Sequence, residues 1–521
     1  MTRSDLVALM TRSDLVALLP LIIIAYSAVI LIVVMPFIYV RRSINRAERK
    51  WSYRLTVITL LGALCSVFAA ARYTPKQVTP LIRIDGYSLF FSGLIIAGAL
   101  LVTLISHDYL NIKLVDSKEE SRFTSVQKSP TYAFPFYLLL LLTTLGMATA
   151  AASSHFVSFF LAYELISISL VGLIGYMREY KRSYEAAIKY LILSATASAF
   201  LVLGMAFIYF ELGTMEFSRL TAFLELGKFS EIIYFGIALL LVGFGYKLAL
   251  VPFHTWSPDV YQGAPAPVTA IIASGSKVAI FALLLRLVST SNLKSDELLY
   301  TLLYILAVAT MFGGNFLALM QDNIKRLLAY SSIAHIGYLL IPLAAGGKSG
   351  AESITFYLVS YLVTTVAAFG VVSAVSLAKQ IGEIEKIDDY RGLAMSRPVI
   401  AAVLSTALLS LLGMPLTSGF FGKFYIFSAA AQSGLWSLLI VGLVNSGISA
   451  FYYLRVIFAV YSRPPANSDS IFKTDADQLP TTPPTSAICM AISTATIVFF
   501  GIYPTPLLTL ARVATAYLGV R

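Results

Sequence analysis

The chain has 521 residues, of which 58% are hydrophobic and only 12% are charged. Soluble globular proteins carry about 25% charged residues, so this composition excludes a soluble enzyme and predicts a polytopic membrane protein. The two cysteines, Cys65 and Cys489, and the four histidines show no spacing typical of a disulfide framework, an iron–sulfur cluster, a haem or a metal site. The net charge of +11 is typical of basic cytoplasmic loops, and we expect no nucleic-acid binding.

The first nine residues, MTRSDLVAL, are repeated at Met10–Leu18. A tandem copy of a start codon and its context indicates a duplication or a misassigned start, so translation could begin at Met1 or at Met10. We expect the first copy to be dispensable. The apolar run Leu18–Val40 is long enough to span a bilayer and has no small-residue cleavage site after it, so we expect no signal peptide.

Apolar segments long enough to cross a bilayer, which takes about 20 residues, fill most of the chain. We count fourteen: 17–40, 53–72, 86–106, 132–152, 155–176, 184–210, 231–256, 266–290, 298–321, 325–346, 351–378, 398–431, 435–461 and 484–510. The twelfth is too long for one straight span and contains Pro415 among three glycines, which indicates a broken helix. The predicted fold is an all-α membrane protein of about fourteen transmembrane helices, with its longest polar loops at 107–131 and 462–483.

The loops on the two sides of the membrane differ in their number of basic residues. Loops that follow odd-numbered segments hold 21 Lys and Arg residues, whereas the termini and the loops on the opposite side hold 11. Positive residues accumulate in cytoplasmic loops. We therefore expect both termini on the outer, periplasmic side of a bacterial or archaeal cytoplasmic membrane.

The seventh and eighth segments each contain a lysine in an apolar run. A lysine at mid-membrane costs roughly 2.5–3.5 kcal/mol on insertion scales. The presence of Lys247 and Lys277 in apolar segments therefore indicates a function that offsets this cost. Lys247 lies five residues before Pro252, which removes a backbone donor and interrupts a helix. A broken helix beside a buried charge is how transporters build ion sites, and this stretch predicts a proton or ion pathway.

Further ionisable residues occupy other segments. Glu164 lies at the centre of the fifth segment and forms the sharpest candidate pair with Lys247, either as a proton switch or as a static ion pair that fixes packing. Lys423 follows Pro415 in the second broken segment, which favours a function. His335, among hydroxyl side chains, could relay protons or simply pack. Lys189 lies near a segment end and could reach the interface instead.

The ionisable residues recur in two sets of five segments, and an odd number of spans reverses the direction of the second set. Two sets of five spans with opposite directions across the membrane are typical of an inverted repeat, here with broken seventh and twelfth helices. We therefore divide the chain into four parts: the first three helices at 1–130, the first repeat at 131–290, the second repeat at 291–461, and a loop with the last helix at 462–521.

Six stretches resemble one known family, the antiporter-like membrane subunits of respiratory complex I, and cover most of residues 130–461. They read FLAYELISISLVGLIGY, SYEAAIKYLILSATASAFLVLG, KLALVPFHTWSPDVYQGAPAPVTAIIASGSK, GNFLALMQDNIKRLLAYSSIAHIGYLL, and LLGMPLTSGFFGKFYIFSAA with NSGISAFYYLRVI. The resemblance implies the fourteen-helix fold with two inverted units. It also implies roles in proton translocation for Glu164, Lys247, Lys277, Lys423, Lys189 and His335, with Lys423 at the exit.

The function that we predict is a proton-translocating membrane subunit of an NADH:quinone oxidoreductase. The resemblance implies that the complex uses NAD, FMN, iron–sulfur clusters and quinone in other subunits, that this chain carries no cofactor, and that its partners are the other complex I subunits and the lipid bilayer. Two alternatives stay open: a cation/proton antiporter or membrane-bound hydrogenase module of the same superfamily, and a non-pumping membrane scaffold.

Overall fold

A computed structural model describes residues 11–40, 45–123, 133–177, 180–225, 230–288, 296–377, 383–464 and 483–519. The first copy of the N-terminal repeat and most of the predicted loop 462–483 lie outside this part of the chain. Nearly all described residues are helical, and the all-α prediction is confirmed.

Helices of the N-terminal part surround one short hairpin. They are α1 (Arg12–Ala17), α2 (Leu19–Val40), α3 (Asn45–Ala70), a 3-10 turn (Ala71–Tyr73), strands β1 (Lys76–Thr79) and β2 (Ile82–Ile84), and α4 (Gly86–Phe123). The two strands pair antiparallel, with Lys76 opposite Ile84. The hairpin was not predicted, and the prediction of a loop over 107–131 was wrong in its first part because α4 continues through polar residues to Phe123.

The next helices form the first group around the seventh segment. They are α5 (Ala133–Ala152), α6 (Phe156–Ile174), α7 (Lys181–Leu212), α8 (Phe217–Glu225), α9 (Glu231–Leu248), α10 (Trp256–Gly263), α11 (Ala266–Ile271), a π-helical turn (Ile272–Ser276) and α12 (Lys277–Val288).

The remaining helices form the second group and the C-terminal part. They are α13 (Glu297–Leu319), α14 (Ile324–Ala345), α15 (Gly347–Ser376), a 3-10 turn (Ile387–Tyr390), α16 (Leu393–Ser396), α17 (Pro398–Leu412), α18 (Ser418–Gln432), α19 (Trp436–Tyr461), α20 (Pro484–Ile502), α21 (Thr505–Thr515) and a 3-10 turn (Ala516–Leu518). The last predicted segment, 484–510, is therefore two helices rather than one, since Pro504 cannot continue α20.

Twelve helices of the described ranges are long and apolar enough to cross a membrane, and the apolar stretches Leu19–Met35 and Pro398–Leu412 are shorter. The number fourteen and the division into two inverted units stay predictions. In each of three spans, Ala266–Val288, Ile324–Ala345 and Gly347–Ser376, an apolar stretch of 18 residues is completely buried by the rest of the chain. This buried centre shields polar side chains from lipid, which allows a polar site at membrane depth.

Candidate functional site

The seventh predicted segment is interrupted where its proline-rich sequence indicates. Helix α9 ends at Leu248, Ala249 adopts a left-handed backbone conformation with φ 60°, and α10 begins only at Trp256. The freed backbone groups find partners, since the Trp256 indole N–H donates to the Tyr246 carbonyl at 2.8 Å and the Val251 N–H donates to Thr310 Oγ1 at 3.2 Å. Such partners are what an interrupted helix needs at membrane depth.

Lys247 lies in the last turn of α9, where a cation is favourable because the helix dipole ends there. Only 2% of the residue is exposed. Its Nζ donates to Ser167 Oγ at 2.6 Å and to the Tyr190 hydroxyl at 2.9 Å, and lies 4.6 Å from the centroid of the Tyr163 ring. The amine is therefore held by hydroxyl groups and by aromatic faces, which attract cations.

Glu164 lies on α6, three residues before Ser167 and therefore one helical turn away. Its Oε1 accepts a hydrogen bond from Ser198 on α7. Among the described residues, Glu164 and Lys247 form no ion pair within 4.0 Å. Lys247 of α9 is thus held against α6 one helical turn from Glu164, without an ion pair between the two.

Lys277 follows the π-helical turn Ile272–Ser276, a feature that is frequent at functional sites. The lysine is 0% exposed and donates to Ser332 Oγ on α14. Ser332 also accepts from the Tyr361 hydroxyl at 2.8 Å and lies 3.3 Å from the Tyr261 hydroxyl. One serine hydroxyl thus connects α10, α12, α14 and α15 at the buried centre.

His335 lies one turn after Ser332 on α14 and contacts two tyrosines. Its Nε2 is 2.9 Å from the Tyr453 hydroxyl, and its Nδ1 is hydrogen-bonded to the Tyr357 hydroxyl. The Tyr453 hydroxyl is also hydrogen-bonded to Ser331. The imidazole therefore belongs to a buried hydroxyl network.

Lys423 lies beside a second interruption, where α17 ends at Leu412 and α18 begins at Ser418. Its Nζ donates to the Leu412 carbonyl at 2.8 Å and to Ser446 Oγ at 3.0 Å. It also lies 5.0 Å from the centroid of the Tyr338 ring. The lysine satisfies the last carbonyl of a broken helix, where the dipole favours a cation.

Lys189 does not join this interior group. Its side chain is 43% exposed and pairs with Glu185 at 2.7 Å and with Asp259 at 3.0 Å. Asp259 also pairs with Arg326 at 2.7 Å. These groups form an ionic cluster around α10, beside a cavity of about 220 Å³ that Lys189, Asp259 and Gln262 help to line.

The residues that sequence reasoning missed are mostly tyrosines. Their hydroxyls contact Lys247, Ser332 or His335, and the residues are Tyr190, Tyr261, Tyr357, Tyr361 and Tyr453. Tyrosine is an ordinary residue in apolar segments and does not stand out there. Only helical spacing, such as the four positions from Tyr357 to Tyr361, could have indicated that tyrosines share one face of a helix.

Arg286 lies near the end of the eighth predicted segment, 266–290, where an arginine usually extends to the interface. Instead its side chain is only 9% exposed and pairs with Asp85 at 2.8 Å. No group of three or more His, Cys, Asp or Glu residues that could hold a metal ion occurs in the part of the chain described by the structure.

Comparisons with known proteins show the family of the chain. Residues 153–449 match the family described as NADH:quinone oxidoreductase/Mrp antiporter, TM. The chain is 41% identical over 494 residues, 95% of both chains, to NADH-quinone oxidoreductase subunit N of Ectopseudomonas mendocina (strain ymp).

Solved structures show the same fold. A chain of respiratory complex I from Thermus thermophilus with bound aureothin is 32% identical, with a TM-score of 0.75 over 95% of this chain and 99% of that chain. A chain of the Mrp complex from Dietzia sp. DQ12-45-1b has a TM-score of 0.81 over 98% of both chains, but at 20% identity it shows the fold alone. The chain therefore belongs to the NADH:quinone oxidoreductase/Mrp antiporter transmembrane family, and within it to the subunit N group.

Proposed function

We propose that this chain translocates protons in the membrane arm of an NADH:quinone oxidoreductase of the bacterial inner membrane. One observation carries the proposal. Lys247, Lys277 and Lys423 are 0–5% exposed, yet within the described residues none of them pairs with a carboxylate within 4.0 Å. A buried ion pair that only fixes packing would need such a partner.

The partners of the three lysines are hydroxyls, one carbonyl and aromatic rings. Because no direct carboxylate contact fixes the charge of Lys247, a change at Glu164, one helical turn away along α6, can decide whether the amine holds a proton. Quinone reduction in other subunits would shift the partners of Glu164 and so drive the cycle. The NAD, FMN, iron–sulfur and quinone sites would lie in those subunits.

The order of transfer follows the positions of the residues. Protons would enter from the cytoplasm near the ionic cluster of Lys189 and the opening around Pro252, and would load Lys247. They would then pass to Lys277, cross the network of His335, and leave through Lys423. This route requires both termini on the outer side, the orientation that the distribution of basic residues predicts.

The first transfer crosses an aromatic side chain. The Trp256 ring lies between the two lysine groups, with its centroid 5.3 Å from that of Tyr190 and 6.5 Å from that of Tyr261. The described side chains provide no hydrogen bond between the hydroxyls of Tyr190 and Tyr261, so a proton needs water or a movement of Trp256 to cross. This step is the place where the route can be opened and closed.

The test is proton pumping by membrane vesicles that contain the Lys247→Ala variant, with assembly of the complex checked on a native gel. We expect an assembled complex in which pumping and electron transfer fall together. The exposed lysine Lys348 offers a matched control, since Lys348→Ala removes a charge at the solvent-facing start of α15.

The outcomes separate the competing functions. Normal pumping by an assembled Lys247→Ala complex would make the buried lysine structural and would favour the non-pumping scaffold. Co-purification with a nickel enzyme, or with no flavin-bearing NADH module, would favour the hydrogenase or antiporter alternative.

A further inference from the structure

A buried ion pair lies outside the group of proton-carrying residues. Lys325, in the first turn of α14, contacts Glu383 with an Nζ–Oε2 distance of 2.6 Å, and the two side chains are 1% and 9% exposed. Lys325 is the first residue of the tenth predicted segment, 325–346, a position from which a lysine usually extends into solvent. Its burial against Glu383 indicates a structural contact instead.

Lys325 uses all its donors. An ammonium group has three N–H bonds, and here it has three acceptors: Glu383, the Gln262 carbonyl at 3.0 Å and the Ala264 carbonyl at 2.5 Å. Both carbonyls lie at the end of α10, where the helix dipole favours a cation. Lys325 therefore anchors the end of this half-helix.

Glu383 anchors the start of the next helix. Its Oε1 accepts from the Ala266 N–H at 2.9 Å, at the beginning of α11, and from the Tyr109 hydroxyl of α4 at 2.7 Å. The pair thus joins α4 and α14 to the junction between α10 and α11. Apart from Tyr109, every polar partner belongs to α10, to α11 or to the link between them.

The anchored half-helix contributes to the site. Tyr261, near its end, points its hydroxyl to within 3.3 Å of Ser332, and Trp256 begins the same helix between the groups of Lys247 and Lys277. A helix of eight residues is marginally stable by itself, so the position of α10 depends on its contacts with other elements. It packs against α7 and α14, and the Lys325–Glu383 pair adds polar contacts at its C-terminal end.

We infer that the Lys325–Glu383 ion pair is a positioning device that holds α10 so that Tyr261 meets Ser332. The inference rests on the proposed function, because its consequence is a correct distance between two proton-carrying groups. The saturated contacts of this pair contrast with those of Lys247, Lys277 and Lys423, which have no carboxylate partner. Neither Lys325 nor Glu383 is a carrier in this arrangement.

Removing one partner alone would leave a buried charge, which destabilises strongly and could prevent assembly. The informative variant is therefore Lys325→Met with Glu383→Met, since replacement of a whole buried pair by apolar side chains is often neutral for stability. Lys386→Met, an exposed lysine three residues after Glu383, is the matched control.

Two readouts are taken on the assembled, purified complex. Hydrogen–deuterium exchange of peptides over 256–270 should be several-fold faster in the double variant and unchanged in Lys386→Met, because the anchors of α10 are lost. Proton pumping per NADH oxidised in reconstituted vesicles should fall several-fold. Tyr261→Phe should lower pumping too, and should add little to the double variant, since both changes act on the same contact.

The two readouts distinguish failure of the positioning role from failure of the proposed function. Unchanged exchange over 256–270 would overturn the positioning role, whatever the pumping rate. Faster exchange with normal pumping would show that the position of α10 is irrelevant to transfer and would equally overturn the inference. If Lys247→Ala pumps normally in the same assay, the proposed function itself fails; if only the double variant pumps normally, the inference alone fails.

Discussion

At the scale of single residues, the charges were predictable and their surroundings were not. Lys247, Lys277 and Lys423 stand out because a cation in an apolar run is costly. The hydroxyls that hold them belong to Ser167, Ser332 and Ser446, which look like many other serines in the sequence. No local pattern tells which serine faces the buried centre.

Ser332 is the residue whose loss should be most specific. Ser332→Ala removes one oxygen that Lys277 and Tyr361 both use, without changing charge or much volume. We expect a normally assembled complex with a several-fold lower rate of proton pumping, measured in vesicles by the quenching of a pH-sensitive dye.

The control for this prediction is Ser373→Ala on α15. The Ser373 hydroxyl is buried and has no hydrogen-bond partner among the described side chains and backbone groups. Its removal should leave pumping unchanged and should stabilise the protein slightly, since an unsatisfied buried donor costs free energy. Equal pumping by the two serine variants would remove Ser332 from the route.

At the scale of elements, both interruptions of helices occur where proline and glycine indicated them. What could not be predicted is which residue takes the strained conformation. Ala249 has φ 60° and Leu416 has φ 68°, although both types avoid the left-handed region and glycines are available nearby. Tertiary contacts lie close to the first interruption, such as that of Val251 with Thr310, and contacts of this kind have no local signal in the sequence.

Substitutions at Ala249 test this strain in both directions. Ala249→Gly should stabilise the interruption by about 1 kcal/mol, because glycine enters the left-handed region without a steric cost. Ala249→Val should destabilise it by roughly 1–2 kcal/mol, since a β-branched residue is a clear outlier there. The measurement is the temperature at which the purified complex loses this subunit. A lower temperature for Ala249→Gly than for Ala249→Val would contradict the proposed strain at Ala249.

Element boundaries were predicted less well than element existence. Helix α4 runs through polar residues to Phe123, because its polar end does not have to lie in lipid. The hairpin of β1 and β2 was hidden in a predicted loop, since its strands have only four and three residues. Short elements carry too little periodicity to be recognised from sequence.

At the scale of the whole molecule, the distribution of basic residues predicts a direction across the membrane. Gln77 lies on strand β1 of the hairpin, and Lys386 directly precedes the 3-10 turn Ile387–Tyr390. Both residues are exposed. An odd number of predicted spans separates them, so they should lie on opposite sides.

Cysteine labelling in intact cells measures this direction. In a chain without Cys65 and Cys489, Gln77→Cys should react with a membrane-impermeant maleimide added outside, whereas Lys386→Cys should react only after the membrane is opened. The opposite result would invert the predicted topology and with it the direction of proton transfer. Labelling of both positions from outside would contradict the predicted number of spans between them.

The contacts of Ser332 have one more consequence, which concerns the polarity of the network. A serine hydroxyl has one hydrogen and two lone pairs. While Lys277 is an ammonium it can only donate, and Tyr361 donates as well, so both lone pairs are filled and the single hydrogen is left for Tyr261. Once Lys277 becomes a neutral amine it can accept, and that hydrogen is free to turn away from α10. The charge of Lys277 thus sets the direction of the hydrogen bond between Ser332 and Tyr261, and in the proposed route this direction would favour proton transfer one way over the other.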